Sequence, residues 1–157
     1  MTRPVSSSPG FTTVFGRELV AELPAFVHRP YLVVTMADLW PTFEAKFDDG
    51  LAGVHLVDTL ELADLEKAAA GLPAQASIVG LGGGQALDVA KFFAWTNRRP
   101  LFQVPTATTV NAPFGHRSGL RERRSCGLVG NRFDVRRGLV PIKLDIGRRR
   151  LRRCLGA

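Results

Sequence analysis

Four short apolar segments, separated by three segments with helical spacing, constrain the fold of this chain more than any other feature. Val, Ile and Leu are frequent in them, as in strands that are buried on both faces of a parallel sheet. They cover residues 31–36, 53–59, 76–82 and 100–107. The segments between them, residues 39–47, 61–72 and 85–97, have the apolar spacing of helices. The alternation predicts an α/β fold: a Rossmann-like open parallel sheet with helices on both faces.

Charge divides the chain into two parts. The 157 residues carry a net charge of +7, and 45% of them are hydrophobic, enough for one domain with a core. Residues 121–157 hold eleven Arg and one Lys against three acidic residues, so the rest of the chain has a net charge of −2. Neither a membrane-length apolar run nor a signal-peptide core is visible, and we therefore expect a cytoplasmic protein without a membrane partner.

Three consecutive glycines, Gly82 to Gly84, stand where the third apolar segment gives way to the third helical segment. A strand-to-helix turn of this kind lies at the carboxyl edge of a parallel sheet, where ligands bind. Glycine allows close approach, and the helix N-terminus favours an anion such as a phosphate. The stretch lacks both the G-x-G-x-x-G fingerprint and the Walker A sequence. A phosphate cradle and a tight turn without a ligand are both consistent with the glycines alone.

Two motifs together favour a phosphate cradle over a turn without a ligand. The stretch "GLGGGQALDVAK", followed by "PLFQVPTATTVNAPFGHRSGL", resembles the iron-containing alcohol dehydrogenase and dehydroquinate synthase-like superfamily. The similarity is greatest to its glycerol-1-phosphate dehydrogenase and glycerol dehydrogenase branch and spans residues 13–120. The resemblance implies the N-terminal cofactor domain of that fold, an NAD(P)-dependent and metal-dependent oxidoreductase, and a small polyol or polyol phosphate substrate. NAD and NADP are not distinguished, because Met36 and Asp38 follow the first strand without a decisive pattern.

The resemblance also implies roles for individual residues. Positions that match cofactor contacts in the family are Gly82, Gly83, Gly84, Gln85, Asp88, Thr106 and Thr109. An ordinary i,i+3 ion pair between Asp88 and Lys91 is the alternative for those two side chains. Asn111 and Arg117 match substrate-binding positions, although Asn111 replaces the usual Asp. Because "GHRSGL" is similar to the "GGKTGI" of dehydroquinate synthases, a dehydroquinate synthase-like lyase stays open as an alternative.

The metal ligands of the superfamily, which hold zinc, iron or nickel, lie in a later helical domain that we expect this chain to lack. Residues 121–157 have the composition of GC-rich DNA read out of frame, and we expect this Arg-rich tail to be disordered or non-native. We also expect residues 1–12 to be a flexible N-terminus. The chain would then be a cofactor-binding half without activity of its own. A basic nucleic-acid-binding protein is the alternative for the tail, although no recognised nucleic-acid motif accompanies it.

A missing half would leave apolar surface without its cover. Phe102, Val104 and Phe114 are the side chains that we expect to be exposed in this way. Exposure of this kind predicts self-association of the chain.

Overall fold

The computed structural model describes residues 3–8, 11–16, 18–107, 112–113, 115, 117–122, 125–130 and 139–144. Its main feature is a seven-stranded sheet in the order β1-β2-β9-β6-β5-β3-β4. All neighbouring strands run parallel, except that β1 is antiparallel to β2. The strands of this sheet are β1 (Arg3–Ser8), β2 (Phe11–Gly16), β3 (Tyr31–Thr35), β4 (Leu51–Leu56), β5 (Ser77–Gly82), β6 (Leu101–Pro105) and β9 (Leu139–Leu144).

Helices cover both faces of the sheet, as the sequence predicts. The α-helices are α1 (Leu19–Glu22), α2 (Trp40–Phe43), α3 (Leu62–Ala70) and α4 (Gly84–Thr96), and 3₁₀ turns follow α1 and α2 at Leu23–Ala25 and Glu44–Lys46. The side chains of α3 and α4 pack on one face with alternate residues of β3 and β5, such as Leu32 and Ile78. Those of α1 and the turn after it pack on the other face with Val33 and Val79. The central strands are therefore buried on both sides, which explains their continuous apolar composition.

The sequence prediction of an open parallel α/β sheet is confirmed. The four expected strands are β3, β4, β5 and β6, and the second and third expected helices are α3 and α4. The first expected helix is shorter than its pattern suggests. Pro41 lies in its first turn, and the α-helix ends at Phe43 before one 3₁₀ turn. The apolar side chains Leu39, Phe43 and Phe47 still pack on the sheet, so the spacing identified the buried face rather than the length of the helix.

Three strands lie in the terminal segments for which the sequence predicts flexibility or disorder. These are β1 at the N-terminus, β9 within the main sheet, and β8 (Ser125–Gly130), which pairs with β7 (Arg117–Glu122) in a separate two-stranded sheet. The domain boundaries at residues 12 and 120, and the out-of-frame origin of the tail, stay predictions.

The expected exposure of Phe102 and Val104 is wrong. Phe102 is 1% exposed and Val104 is completely buried, and both pack with Leu19 and Leu23 of the first helix and the turn after it. Residues of the same chain therefore bury Phe102 and Val104, and these two side chains do not support self-association. Phe114 lies outside the described residues.

At the amino end of β3, Tyr31 donates a hydrogen bond from its hydroxyl to Asp48 Oδ1 at 2.7 Å. Arg29 pairs with Asp48 and with Asp49. Burial of the ring, and next the hydrogen bond to Asp48, raise the pKa of Tyr31 to about 12. This cluster closes the edge of the sheet opposite to the three glycines.

Because Tyr31 is the single tyrosine of the chain, its ionisation can be followed directly. We expect the tyrosinate absorbance of the folded protein to rise with a midpoint at about pH 12. Unfolded tyrosine titrates near pH 10, so the stabilisation from the protonated phenol is complete below about pH 10 and is lost as the pH rises to about 12. The free energy of unfolding in urea should fall between about pH 10 and pH 12. In the Tyr31→Phe variant, which has no phenol to ionise, this fall should be absent. A midpoint near pH 10 in the folded protein would contradict the expected shielding.

Among the described residues, no helix is long and apolar enough to cross a membrane.

Candidate functional site

The turn between β5 and α4 contains the three glycines, and the backbone conformation and the surrounding space differ between Gly82 and Gly83. Gly82 ends β5 with a φ of 143°, a conformation that residues with a side chain rarely adopt. A Cβ atom at Gly82 would lie 3.1 Å from the Cβ atom of Ala86 and 3.4 Å from a methyl group of Leu39. Glycine is therefore needed at residue 82 for both conformation and space.

Gly83 is the N-cap of α4, with an extended backbone conformation that any residue can adopt. Among the described residues, no atom beyond its chain neighbours would lie within 4 Å of a Cβ atom built on Gly83, so this part of the chain leaves space in front of the turn. No side chain caps the helix, and the first turn of α4 contains no acidic residue. The N–H of Leu87 is the first that bonds back to Gly83, so the preceding N–H groups have no acceptor within the helix.

These features together form a site that suits an anion. The first N–H groups of a 13-residue helix, which have no acceptor within the helix, lie at its positive end beside the space at Gly83, with the exposed side chain of Gln85 next to them. The predicted cradle residues Gly82, Gly83, Gly84 and Gln85 are thus brought together in one turn at the carboxyl edge of the sheet.

Gly80, which the sequence reasoning did not single out, positions the whole turn. A Cβ atom on Gly80 would lie 2.7 Å from the Cβ atom of Ala90, closer than real side-chain contacts. The absence of a side chain at this buried strand position lets α4 pack directly against β5. Gly80 is part of the "GLGGG" stretch in the sequence. The sequence alone does not show which of these glycines is needed for packing and which would lie next to a ligand.

Thr106 joins the cradle through its backbone. Its N–H donates a hydrogen bond to the Gly82 carbonyl oxygen at 3.0 Å, and the preceding Pro105 is the partner of Gly82 in the register of β5 and β6. The side chain of Thr106 is half-buried at the same edge as the glycines. Thr109 and Asn111 lie outside the described residues. Arg117 is the first residue of β7, and its side chain is likewise outside the description.

Asp88 lies on α4, one turn beyond the cradle, and its carboxylate has two partners within the protein. Oδ1 is 2.7 Å from Nζ of Lys91, so the i,i+3 ion pair is formed. Oδ2 accepts a hydrogen bond from the Gly119 N–H at 3.1 Å, and the backbone carbonyl of Asp88 accepts one from the Ser118 hydroxyl at 2.6 Å. The partners on β7 are about thirty residues away along the chain, and the sequence reasoning missed them.

Lys91 is the most deeply buried charged side chain among the described residues, with 2% of its surface exposed. In addition to its ion pair, its Nζ lies 5.9 Å from the centre of the Trp95 ring. The described residues contain no group of three or more His, Cys, Asp or Glu side chains that could hold a metal ion. The expected absence of metal ligands from the whole chain stays a prediction.

A family model and two relatives of known function match the sequence of this chain. Residues 19–115 match the family model for iron-containing alcohol dehydrogenase. A glycerol-1-phosphate dehydrogenase [NAD(P)+] of Thermoplasma acidophilum is 38% identical over 85 residues, which are 54% of this chain and 23% of that protein. A 3-dehydroquinate synthase of Corynebacterium jeikeium is 32% identical over 131 residues, or 75% of this chain and 35% of that protein.

Solved structures show the same fold at lower identity. A probable glycerol dehydrogenase from Sinorhizobium meliloti 1021 superimposes with a TM-score of 0.72 at 15% identity, covering 91% of this chain and 41% of that one. A sulfoacetaldehyde reductase from Bifidobacterium kashiwanohense in complex with NAD⁺ gives 0.71 at 17% identity, covering 88% and 45%. The chain therefore spans less than half the length of these relatives. Because the family model covers well over half of the chain, the chain belongs to the iron-containing alcohol dehydrogenase family.

Proposed function

We propose that this chain binds the pyrophosphate of a nicotinamide dinucleotide, NAD or NADP, at the turn between β5 and α4. On this proposal it forms the cofactor-binding half of an oxidoreductase for a small polyol or polyol phosphate. The observation that carries the proposal is the open, uncapped helix N-terminus in front of Gly83. The membership in the iron-containing alcohol dehydrogenase family and the NAD⁺ complex of one structural relative support it.

The described residues fit a bound pyrophosphate. The backbone N–H groups at the start of α4 would donate to phosphate oxygens, and Gly83 would let them approach closely. Thr106 would offer a hydroxyl at the same edge, and we propose the same for Thr109. The bound nicotinamide would supply the hydride acceptor or donor. We propose that Asn111 and Arg117 contact the substrate, since an Arg can hold a phosphate through paired N–H donors.

The divalent metal expected for the family, zinc, iron or nickel, has no matching ligand set among the described residues. No step of the reaction is therefore assigned to a metal on this chain.

A second candidate reaction is favoured by one comparison. The 32% identity to a 3-dehydroquinate synthase extends over 75% of the chain, further than the match to the glycerol-1-phosphate dehydrogenase. A dehydroquinate synthase-like lyase is the alternative on this ground. The two candidates share the dinucleotide site and differ in the substrate, so substrate assays separate them where dinucleotide binding does not.

Replacing Gly83 with valine is expected to weaken NADH or NADPH binding by about tenfold or more, equivalent to about 1.4 kcal/mol. The valine side chain would fill the space in front of the helix, where no atom of the described residues beyond the chain neighbours lies within 4 Å of the added Cβ. The fold should persist, because the extended backbone of Gly83 accommodates a side chain. Titration of NADH and of NADPH fluorescence, with circular dichroism to check folding, measures the effect. The same preparations, assayed with glycerol and glycerol phosphate, test the expectation that the chain alone has no turnover.

The matched control is Gly71→Val at the other end of the sheet. Gly71 is the C-cap of α3, and a Cβ atom there would lie 3.7 Å from the Ala68 carbonyl oxygen, an ordinary contact. This variant should bind the dinucleotide like the unmodified chain. Equal affinity of the Gly83→Val variant and the unmodified chain, or no binding by a folded unmodified chain, would refute the proposed site.

A further inference from the structure

We infer that Asp88 is a positioning residue that fixes strand β7 to helix α4, and that its carboxylate does not bind the dinucleotide. The inference rests on the proposed function for its meaning, because β7 begins with Arg117, the proposed substrate contact. It gives Asp88 a different role from the cofactor contact that the family resemblance implies.

Both carboxylate oxygens of Asp88 already have partners within the protein. Oδ1 faces the Lys91 ammonium at 2.7 Å, and Oδ2 accepts from the Gly119 N–H at 3.1 Å. Lys91 is 2% exposed, so its charge depends on this partner for compensation more than a solvated lysine would. A carboxylate held from two sides in this way is poorly placed to turn towards a bound dinucleotide.

Asp88 contacts β7 through its backbone as well. Its carbonyl oxygen accepts the Ser118 hydroxyl at 2.6 Å, and Ser118 is completely buried. A Cβ atom on Gly119 would lie 3.1 Å from Asp88 Oδ2, so the strand lies closer to this carboxylate than most residues with a side chain would allow. Two consecutive residues of β7 are thus bonded to one residue of α4.

The contacts at the two ends of β7 fix where this strand begins. Leu120 packs in the core under α4, and the Arg121 N–H donates to the Leu60 carbonyl oxygen at 2.8 Å, which fixes the far end of the strand. Asp88 fixes the near end, next to Arg117. Asp88 lies four residues after Gly84, about 6 Å along the helix from the cradle. The attachment therefore sets the position of the Arg117 backbone relative to the proposed pyrophosphate site.

The test uses a Lys91→Met background, so that changing Asp88 does not also remove an ion-pair partner from a buried ammonium. In this background Asp88→Ala should accelerate hydrogen exchange of the Gly119 amide by about tenfold or more, because the amide loses its acceptor. Asp88→Asn, which keeps an acceptor oxygen, should restore protection to within about threefold of the Lys91→Met parent. The affinity for NADH should stay within about twofold in all three variants.

A double-mutant cycle between Asp88 and Gly119 provides a second measurement. Gly119→Ala should lower the melting temperature when Asp88 is present, because the added methyl group meets Oδ2. In the Asp88→Ala background this decrease should disappear, since the facing oxygen atoms are gone. The cycle needs neither the dinucleotide nor a substrate.

Unchanged exchange at Gly119 in the Asp88→Ala variant would overturn the inference, as would an additive double-mutant cycle. A tenfold loss of NADH affinity in both Asp88 variants would show that the carboxylate is a cofactor ligand after all. Absence of any NADH or NADPH binding by the folded, unmodified chain would refute the proposed function instead. The exchange and the double-mutant cycle would still decide whether Asp88 fixes β7.

Discussion

Replacing Phe93 with alanine is expected to lower the free energy of unfolding by about 3–5 kcal/mol, a large part of the stability of a domain of this size. Phe93 is completely buried at the centre of the cluster formed by α3, α4 and the sheet. Its ring meets His55 edge-on with 4.8 Å between ring centres and also packs beside Phe92. Alanine would leave a cavity under α4 that rigid neighbouring strands cannot fill. Urea unfolding followed by circular dichroism measures the loss.

Phe26→Ala is the matched control. Phe26 is 38% exposed, so the same change in side-chain size should reduce the stability by less than about 1 kcal/mol. Similar losses in the two variants would mean that Phe93 is not at the centre of the core.

The packing around Phe93 also affects His55, because burial lowers the pKa of this histidine even though Asp58 opposes the shift. His55 therefore stabilises the fold above its ordinary pKa of about 6.5 and loses this contribution as the pH falls.

Replacing Gly80 with valine is expected to lower the free energy of unfolding by about 1–3 kcal/mol or more and to weaken dinucleotide binding as well. The added Cβ would lie 2.7 Å from the Cβ atom of Ala90 and 3.6 Å from the Cα atom of Leu87, so α4 would have to move away from β5. This movement would displace the first turn of α4 and with it the proposed dinucleotide site, although Gly80 itself is buried in the sheet. Unfolding by urea and NADH fluorescence titration measure the two effects.

Gly53→Val in the edge strand β4 is the control for this change. A Cβ atom on Gly53 would lie 3.4 Å from a methyl group of Leu32, which can shift, and valine suits a strand. We expect a change in stability of less than about 1 kcal/mol and an unchanged NADH affinity. If Gly80→Val left NADH binding intact while it destabilised the protein, the packing of α4 on β5 would not be what positions the cradle.

Local patterns in the sequence were sufficient to predict the central sheet. Each of the four predicted strands is a mainly apolar segment, and the spacing of Ala86, Val89, Ala90 and Phe93 predicts α4. The strand-to-helix turn at Gly82 could be identified because glycine runs are rare inside elements and common at such turns. These features depend on residues that are neighbours along the chain.

Contacts between distant residues could not be predicted in this way. Phe102 and Val104 appeared to need a cover from a missing domain, whereas Leu19 and Leu23 of the same chain supply it. The insertion of β9 between β2 and β6 depends on pairing across more than thirty residues. For Asp88, the helical spacing offered an ion pair with Lys91 as the alternative to a cofactor contact, but nothing in the sequence indicated Ser118 and Gly119 on another strand.

The different geometries of Gly82 and Gly83 have a consequence for how this turn can change during evolution. At Gly82 the positive φ and the close contact with Ala86 oppose every other residue, whether or not a ligand is bound. At Gly83 the protein itself leaves room for a side chain, and on the proposed function only a bound pyrophosphate would exclude it. A descendant that keeps the fold but abandons the cofactor should therefore retain the first glycine and be free to replace the second. Substitution at position 83 with glycine kept at position 82 would thus mark homologues that have lost dinucleotide binding.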